Sequence, residues 1–335
     1  MKQYGKFLGK KMIWYLMTFV IALILNFLLP RLIPGNPLSS IMWKLSEGMS
    51  DADSMKKIYE SLNQQFGLDK SLIEQFIIYI KNLLHGDMGI SFSAYPRPVS
   101  DIISSSVGWT LFLQLPAILV SWLLGNVLGV LSAYKKGVFD KVLFPIFIFI
   151  NSIPTFALGL VIIFIFATIL NWFPTSGAYS FDMIVHFSPK FIWSVIEHYQ
   201  LPFWSIVLTM IGGQSLGMRE MSLYELNSDY VKFSRLMGIK DKKIIKYVFK
   251  NAVLPQVTGL ALSLGTIMSG ALITEIVFNY PGLGTTLFTA IRTQDFPLIS
   301  GCTLIITIMV LLSNFLVDIF YGLLDPRIKV IQREE

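Results

Sequence analysis

Six intervals free of charged residues divide the chain, at 12–30, 102–134, 142–181, 198–218, 251–274 and 296–317. Each reaches or exceeds the roughly 17–25 apolar residues that a membrane-spanning helix needs. The third interval is long enough for more than one helix. However, Pro174, Ser176 and Gly177 break its latter part, and the remainder, 175–181, is too short to cross. The pattern therefore predicts one helix there and six spanning helices in all.

Between the first two spans lies a stretch of different character, 31–107. Ser71 and Glu74 stand at the spacing of a capping box, in which a serine side chain and a glutamate three residues later each cover the other's backbone amide. They open a helical stripe of Leu72, Ile73, Phe76, Ile77, Ile80, Leu83 and Leu84, which ends near Gly86. This helix is expected to pack on the outer ends of the spans or to lie along the interface, as a small capping subdomain.

Within the spans, small residues recur at four-residue spacing: Gly125, Gly129 and Ala133 in the second, and Gly259 with Ser263, then Gly265 with Ser269, in the fifth. Such faces let helices approach closely, so they are read as packing surfaces. Pro116, Pro145 and Pro154 predict kinks.

Charge sets the topology. Lys2, Lys6, Lys10 and Lys11 precede the first span, and Lys135, Lys136 and Lys141 lie between the second and third. Eight basic residues lie between the fourth and fifth, from Arg219 to Lys250, and Arg327, Lys329 and Arg333 follow the sixth. The opposite side has Lys190 and Arg292 in its shorter loops, while its long loop exceeds the length at which charge directs insertion. Both termini are thus predicted to be cytoplasmic. The first interval is long for a signal-peptide core and no small-residue cleavage site comes after it, so it is read as an uncleaved anchor.

Composition agrees. Of 335 residues, 54% are hydrophobic and 14% charged, with mean hydropathy +0.63; soluble domains carry about 25% charged residues. The net charge of +6 is dispersed among loops, which argues against a nucleic-acid-binding surface. A single cysteine, Cys302, excludes an intrachain disulfide and a multi-cysteine metal site. His85, His186 and His198 lack metal-ligand spacing, and Gly5 to Lys10 lacks the spacing of a phosphate loop. No cofactor is expected on this chain, and it is not expected to be an enzyme. Two acids sit in or beside apolar spans. Asp318 reads as an interfacial residue at a helix end; Glu275 is a candidate for lining a water-filled path or pairing with a partner subunit.

The most informative polar stretch is 229–255. A short helix with Tyr230, Phe233, Ser234 and Met237 on one face is followed by Gly238, suited to a left-handed helix stop, and then by a second, basic helix. An exposed amphipathic helix of this kind can seat its apolar face in a partner's groove. Lys242, Lys243, Lys246 and Lys250 of the second helix suit either anionic lipid or that partner.

Ser234-Arg235, Gly238 and Leu254-Pro255 resemble the EAA loop of bacterial ABC importer permeases. Thr274 to Phe278, Pro281-Gly282-Leu283-Gly284, Asp318 and Leu324 to Arg327 come next, in an order similar to the dipeptide/oligopeptide/nickel permease family, on the side of its first permease subunit. Gly67-Leu68-Asp69, Gly86-Asp87-Met88-Gly89 and Pro174-Thr175-Ser176-Gly177 resemble the same subunit. One departure is that Ser234 is followed by Arg235 and the bulkier Leu236 and Met237, so the contact surface is expected to differ in detail.

The resemblance implies an all-α integral membrane protein with the type I ABC importer permease fold. It divides into the N-terminus and first span (1–30), the outer loop (31–107), a five-helix core (108–323) that includes the coupling loop 219–255, and a cytoplasmic tail (324–335). It implies a second, homologous permease subunit, two ATP-binding subunits carrying ATP and Mg, and an extracytoplasmic binding protein that delivers cargo through the cell membrane. Tyr230, Phe233, Ser234, Arg235, Met237 and Gly238 would meet the ATPase, and Leu254 and Pro255 would enter span five. Glu275, Pro281, Gly282 and Gly284 would line or gate the pathway. Peptides are the expected cargo; nickel or metal chelates and oligosaccharides are the alternatives within the family. A stand-alone secondary transporter would need an inverted repeat and midplane ion ligands, and neither is visible in the sequence.

Overall fold

The computed structural model of the chain describes residues 2–39, 41–42, 52–135, 137–265 and 272–324. The described residues form twelve α-helices and no named strand: α1 Lys2–Leu32, α2 Ala52–Gln65, α3 Leu72–Leu84, α4 Val99–Lys135, α5 Gly137–Ser152, α6 Thr155–Ile162, α7 Pro189–Leu226, α8 Asp229–Leu236, α9 Asp241–Gly265, α10 Leu272–Val277, α11 Leu283–Arg292 and α12 Phe296–Leu324. A π-helical stretch, Ile163–Ile169, continues α6.

Four of these helices are long and apolar enough to cross a membrane, over Lys11–Leu32, Val99–Lys135, Pro189–Leu226 and Phe296–Leu316. A fifth candidate is a bent pair. The third interval, expected to hold one helix, contains two: Gly137–Ser152 and Thr155–Ile169 meet at 101°. Pro154 is the physical cause, because it lacks the N–H that would continue α5 and steers Ile153 away from helical dihedrals. Of the fifth interval, 251–265 belongs to α9 and 272–274 to α10, while 266–271, including Ser269, lies outside the described residues.

The chain forms two compact units. The first combines Met1–Trp109 with Gly282–Leu311. Its core gathers Leu38, Ile41, Leu62, Phe92 and Phe296. Helix α3 starts as the sequence predicted: the Ser71 side chain accepts from the Glu74 amide, and Glu74 accepts from the Ser71 amide. The Ser71 hydroxyl also donates to Glu74 Oε2 at 2.8 Å, and this bond, then the one from the Ser71 amide, hold the Glu74 carboxyl below its usual range. The helix packs on the end of α1, with Phe76 edge-on to Phe27 at 5.1 Å between ring centres. Arg31 Nε donates to Gln75 Oε1 at 3.0 Å. Ile73, Ile77 and Leu84 remain exposed on the other face.

The second unit combines Thr110–Pro281 with Leu312–Glu335. The small-residue face of α4 meets α7 backbone to backbone. A methyl added at Gly129 would lie 2.5 Å from the Ser215 carbonyl oxygen, and one at Gly125 would lie 2.5 Å from Gln214 Cβ. In the other predicted small-residue face, a methyl added at Gly259 would meet nothing within 4 Å among the described residues. At the start of α5, Asp140 takes both arms of Arg219, at 2.7 Å from Nε and 2.6 Å from a terminal nitrogen, and also accepts from the Ser132 hydroxyl. The guanidinium lies 4.2 Å from the Phe144 ring centre.

Candidate functional site

The sequence from Ser228 to Gly265 folds as two helices joined by a tight stop. Gly238 has φ +68°, its amide donates to Arg235 O at 3.0 Å, and the Ile239 amide reaches back to Ser234 O at 3.1 Å. This pair of bonds is the Schellman ending, which favours glycine because its left-handed backbone costs a side-chain-bearing residue energy.

Helix α8 does not present Tyr230, Phe233, Ser234 and Met237 on a single face. Ser234 is buried together with Val231, and Tyr230 is half-buried beside them. Phe233, Leu236 and Met237 point outwards, 67%, 84% and 65% exposed. The apolar arc is wider than one stripe, so the helix can be glued on one side and bare on the other. Val231 joins a core made of Val130 and Ala133 from α4, Met218 and Leu226 from α7, and Ile244, Val248 and Ala252 from α9. The Ser234 hydroxyl is turned onto its own helix, donating to Tyr230 O at 2.7 Å. Tyr230 donates to Glu225 Oε2 at 2.7 Å; burial, and then this bond, raise its phenol above the ordinary range. Arg235 is exposed.

Beyond the stop, α9 runs unbroken from the basic segment through Leu254 and Pro255, both exposed. It is held by Trp122, whose indole N–H donates to Gln256 O at 2.9 Å. Helix α8 is thus packed against α9, which continues without a break beyond Pro255.

The remaining predicted positions are internal. Glu275, expected to face a path or a partner, is fully buried and accepts a 2.6 Å bond from Thr110 Oγ1. A carboxylate without water needs such donors. Gly282 and Gly284 are buried, and Pro281 is half-buried. Asp318 lies within α12, half-buried. Two motifs that are far apart in sequence meet: the Gly177 amide donates to Phe278 O at 2.8 Å, and the Phe278 ring lies 3.0 Å from the place of a Gly159 Cβ. In the first unit, Gly67-Leu68 and Asp87-Met88-Gly89 line one cavity with Arg31 and Tyr79.

The sequence reading missed Asp295. It is fully buried, and its Oδ2 accepts from Ser93 N and Ser93 Oγ, each at 2.8 Å, and from the Ser91 hydroxyl. Its Oδ1 accepts from the Leu298 amide at 3.2 Å. It therefore caps α12 and ties the segment at Ser91 and Ser93 to it. An aspartate directly before Phe296-Pro297 and an apolar run was the available signal.

The family profile for the inner membrane component of binding-protein-dependent transport systems matches residues 125–330. The chain belongs to this permease family. The match covers α8 and α9. A protein of Brucella ovis named as a peptide permease is 33% identical over 312 residues, covering 92% of this chain and 93% of the relative. The di/tripeptide transport system permease protein DppB of Pseudomonas aeruginosa is 31% identical, with 96% and 98% covered. The glutathione transport system permease protein GsiC of Escherichia coli K12 is 30% identical, with 96% and 97% covered. The permease is accordingly a multi-pass membrane transport subunit.

Proposed function

We propose that the permease forms half of the translocation pathway of an ATP-driven importer, and that its cargo is peptides handed over by an extracytoplasmic binding protein. In this reading it has six spans, both termini lie in the cytoplasm, it pairs with a second, homologous permease, and two ATP-binding subunits carry the ATP and Mg. The observation that carries the reading is α8, whose outer face bares Phe233, Leu236 and Met237 while its inner face is cemented into the second unit by Val231. An exposed apolar helix with a rigid base is suited to entering a groove on a moving partner and passing the motion into α9. The peptide relatives support the cargo class. Glutathione, itself a small peptide, falls within it.

The test uses the assembled transporter. Gly238→Pro, which forces a negative φ where the structure has +68°, and Phe233→Asp are expected to abolish peptide-stimulated ATP hydrolysis. If both variants assemble with the ATPases and hydrolyse ATP like wild type, the coupling role is wrong. Uptake of a metal chelate or an oligosaccharide but not of peptides would retain the machine and overturn the cargo.

A further inference from the structure

The first unit contains a cavity of about 270 Å³ lined in part by Arg31, Lys70, Tyr79, Asn82 and Ser300. Arg31 and Lys70 bring donors alone, beside amide and hydroxyl side chains that can donate or accept, and Arg31 and Tyr79 are not fully spent on the fold. The Arg31 guanidinium uses Nε on Gln75 Oε1 and one terminal nitrogen on Phe27 O, at 3.0 and 2.9 Å, and lies over the Phe27 ring. Both acceptors are neutral, and no carboxylate among the described residues pairs with it. The Tyr79 hydroxyl is buried with no hydrogen-bond partner among the described residues. Both groups pack on Phe27: the Arg31 guanidinium lies 3.7 Å from that ring's centre, and the Tyr79 ring centre lies 5.6 Å from it. Asp87, the carboxylate of the lining, is turned to its own loop, accepting from the Gly89 amide at 2.8 Å.

We infer that this cavity is a binding site for one oxyanion group, a carboxylate or a phosphate, held by the Arg31 guanidinium and the Tyr79 hydroxyl. A planar guanidinium with unused N–H groups matches such an anion in shape and charge, and a buried hydroxyl without a partner is relieved by an acceptor. Two sources carry this chemistry: the C-terminal carboxylate of a peptide and the phosphodiester of a phospholipid. Only the peptide source rests on the proposed cargo, and transport assays test that cargo separately.

The experiment measures the unfolding midpoint of the purified full chain in an uncharged maltoside detergent, because a ligand bound to the folded state raises that midpoint. Three additives are compared: alanyl-alanine, its C-terminal amide, and short-chain phosphatidylglycerol. The variants are Arg31→Gln and Tyr79→Phe. In wild type, the site predicts a shift with alanyl-alanine and none with the amide if the source is the peptide, or a shift with the lipid if the source is the bilayer. In either case Arg31→Gln abolishes the shift, and Tyr79→Phe weakens binding by about tenfold. Tyr79→Phe removes a hydroxyl that bonds nothing among the described residues, so its own midpoint stays at or above wild type, and it carries the test if Arg31→Gln does not fold. No shift with any additive, an equal shift with the amide, or shifts unchanged in Tyr79→Phe would overturn the site.

Discussion

Thr110 and Glu275, 165 residues apart, meet through a 2.6 Å hydrogen bond from hydroxyl to carboxylate, and both are enclosed by the second unit. The bond ties the short helix α10 to α4. Replacing Thr110 by valine keeps the shape and deletes the donor, so a carboxylate already out of water loses a partner. The expected cost is about 1–3 kcal/mol, and Thr110→Ser should lose much less. Denaturation in detergent checks both. If Glu275 instead faced an open aqueous path, Thr110→Val would leave stability unchanged.

The local features of this chain were legible because their partners are close in sequence. Ser71 finds Glu74 three residues on, and Gly238 closes onto Ser234 and Arg235. The stripe of Gly125 and Gly129 was legible as a packing face although its partner, α7, was not. What stayed hidden depends on distant pairings. Asp295 is held by Ser91 and Ser93, 204 and 202 residues away, and no local period reports this. The division of α8 failed for another reason: eight residues with a wide apolar arc do not reveal which part of the arc the protein uses. The kink expected at Pro154 proved to be a 101° break into two helices, because a charge-free interval sets the length of an apolar run but not its direction.

The two faces of α8 can be separated by experiment. Phe233→Asp alters an exposed position, so the chain's own unfolding midpoint should change little, within about 0.5 kcal/mol. Val231→Asp puts a charge into the core and should prevent stable folding. If Phe233 seats in the ATPase, its loss should weaken the complex by roughly 30-fold, the scale of an interfacial anchor. Affinity measured with purified ATPase subunits would show this. Equal destabilisation by both variants would mean that Phe233 is part of the core after all.

The glycines of α4 and α9 make opposite predictions. Gly129→Ala places a methyl against the Ser215 carbonyl, which is backbone and cannot rotate away, so α4 and α7 must separate. A cost of about 1–3 kcal/mol is expected. Gly259→Ala meets open space and gains helix propensity, so it should be neutral or stabilising in the isolated chain. Should Gly259→Ala nevertheless impair the assembled transporter, its small face is used by a partner subunit. Unfolding of the chain alone and ATPase activity of the complex separate these cases.

Arg219 and Asp140 form a bidentate pair with side chains 18% and 20% exposed, fixing the start of α5 against α7. Partial exposure screens the charges, so the pair's coupling should fall well short of the deep-interior limit. Its two-pronged geometry should still resist substitution by lysine, which offers one point charge and no fork. A double-mutant cycle with Arg219→Gln and Asp140→Asn is expected to give a coupling of about 1–2 kcal/mol. Arg219→Lys should recover less than half of it. The single variants should also differ from the double one in kind. Removing only Asp140 leaves the guanidinium beside Phe144 with no anion, and removing only Arg219 leaves the carboxylate with the Ser132 hydroxyl. Each single change is therefore expected to destabilise α5 more than its half of the double change. Full recovery by lysine, or a coupling near zero, would mean that the fork does not hold α5 against α7.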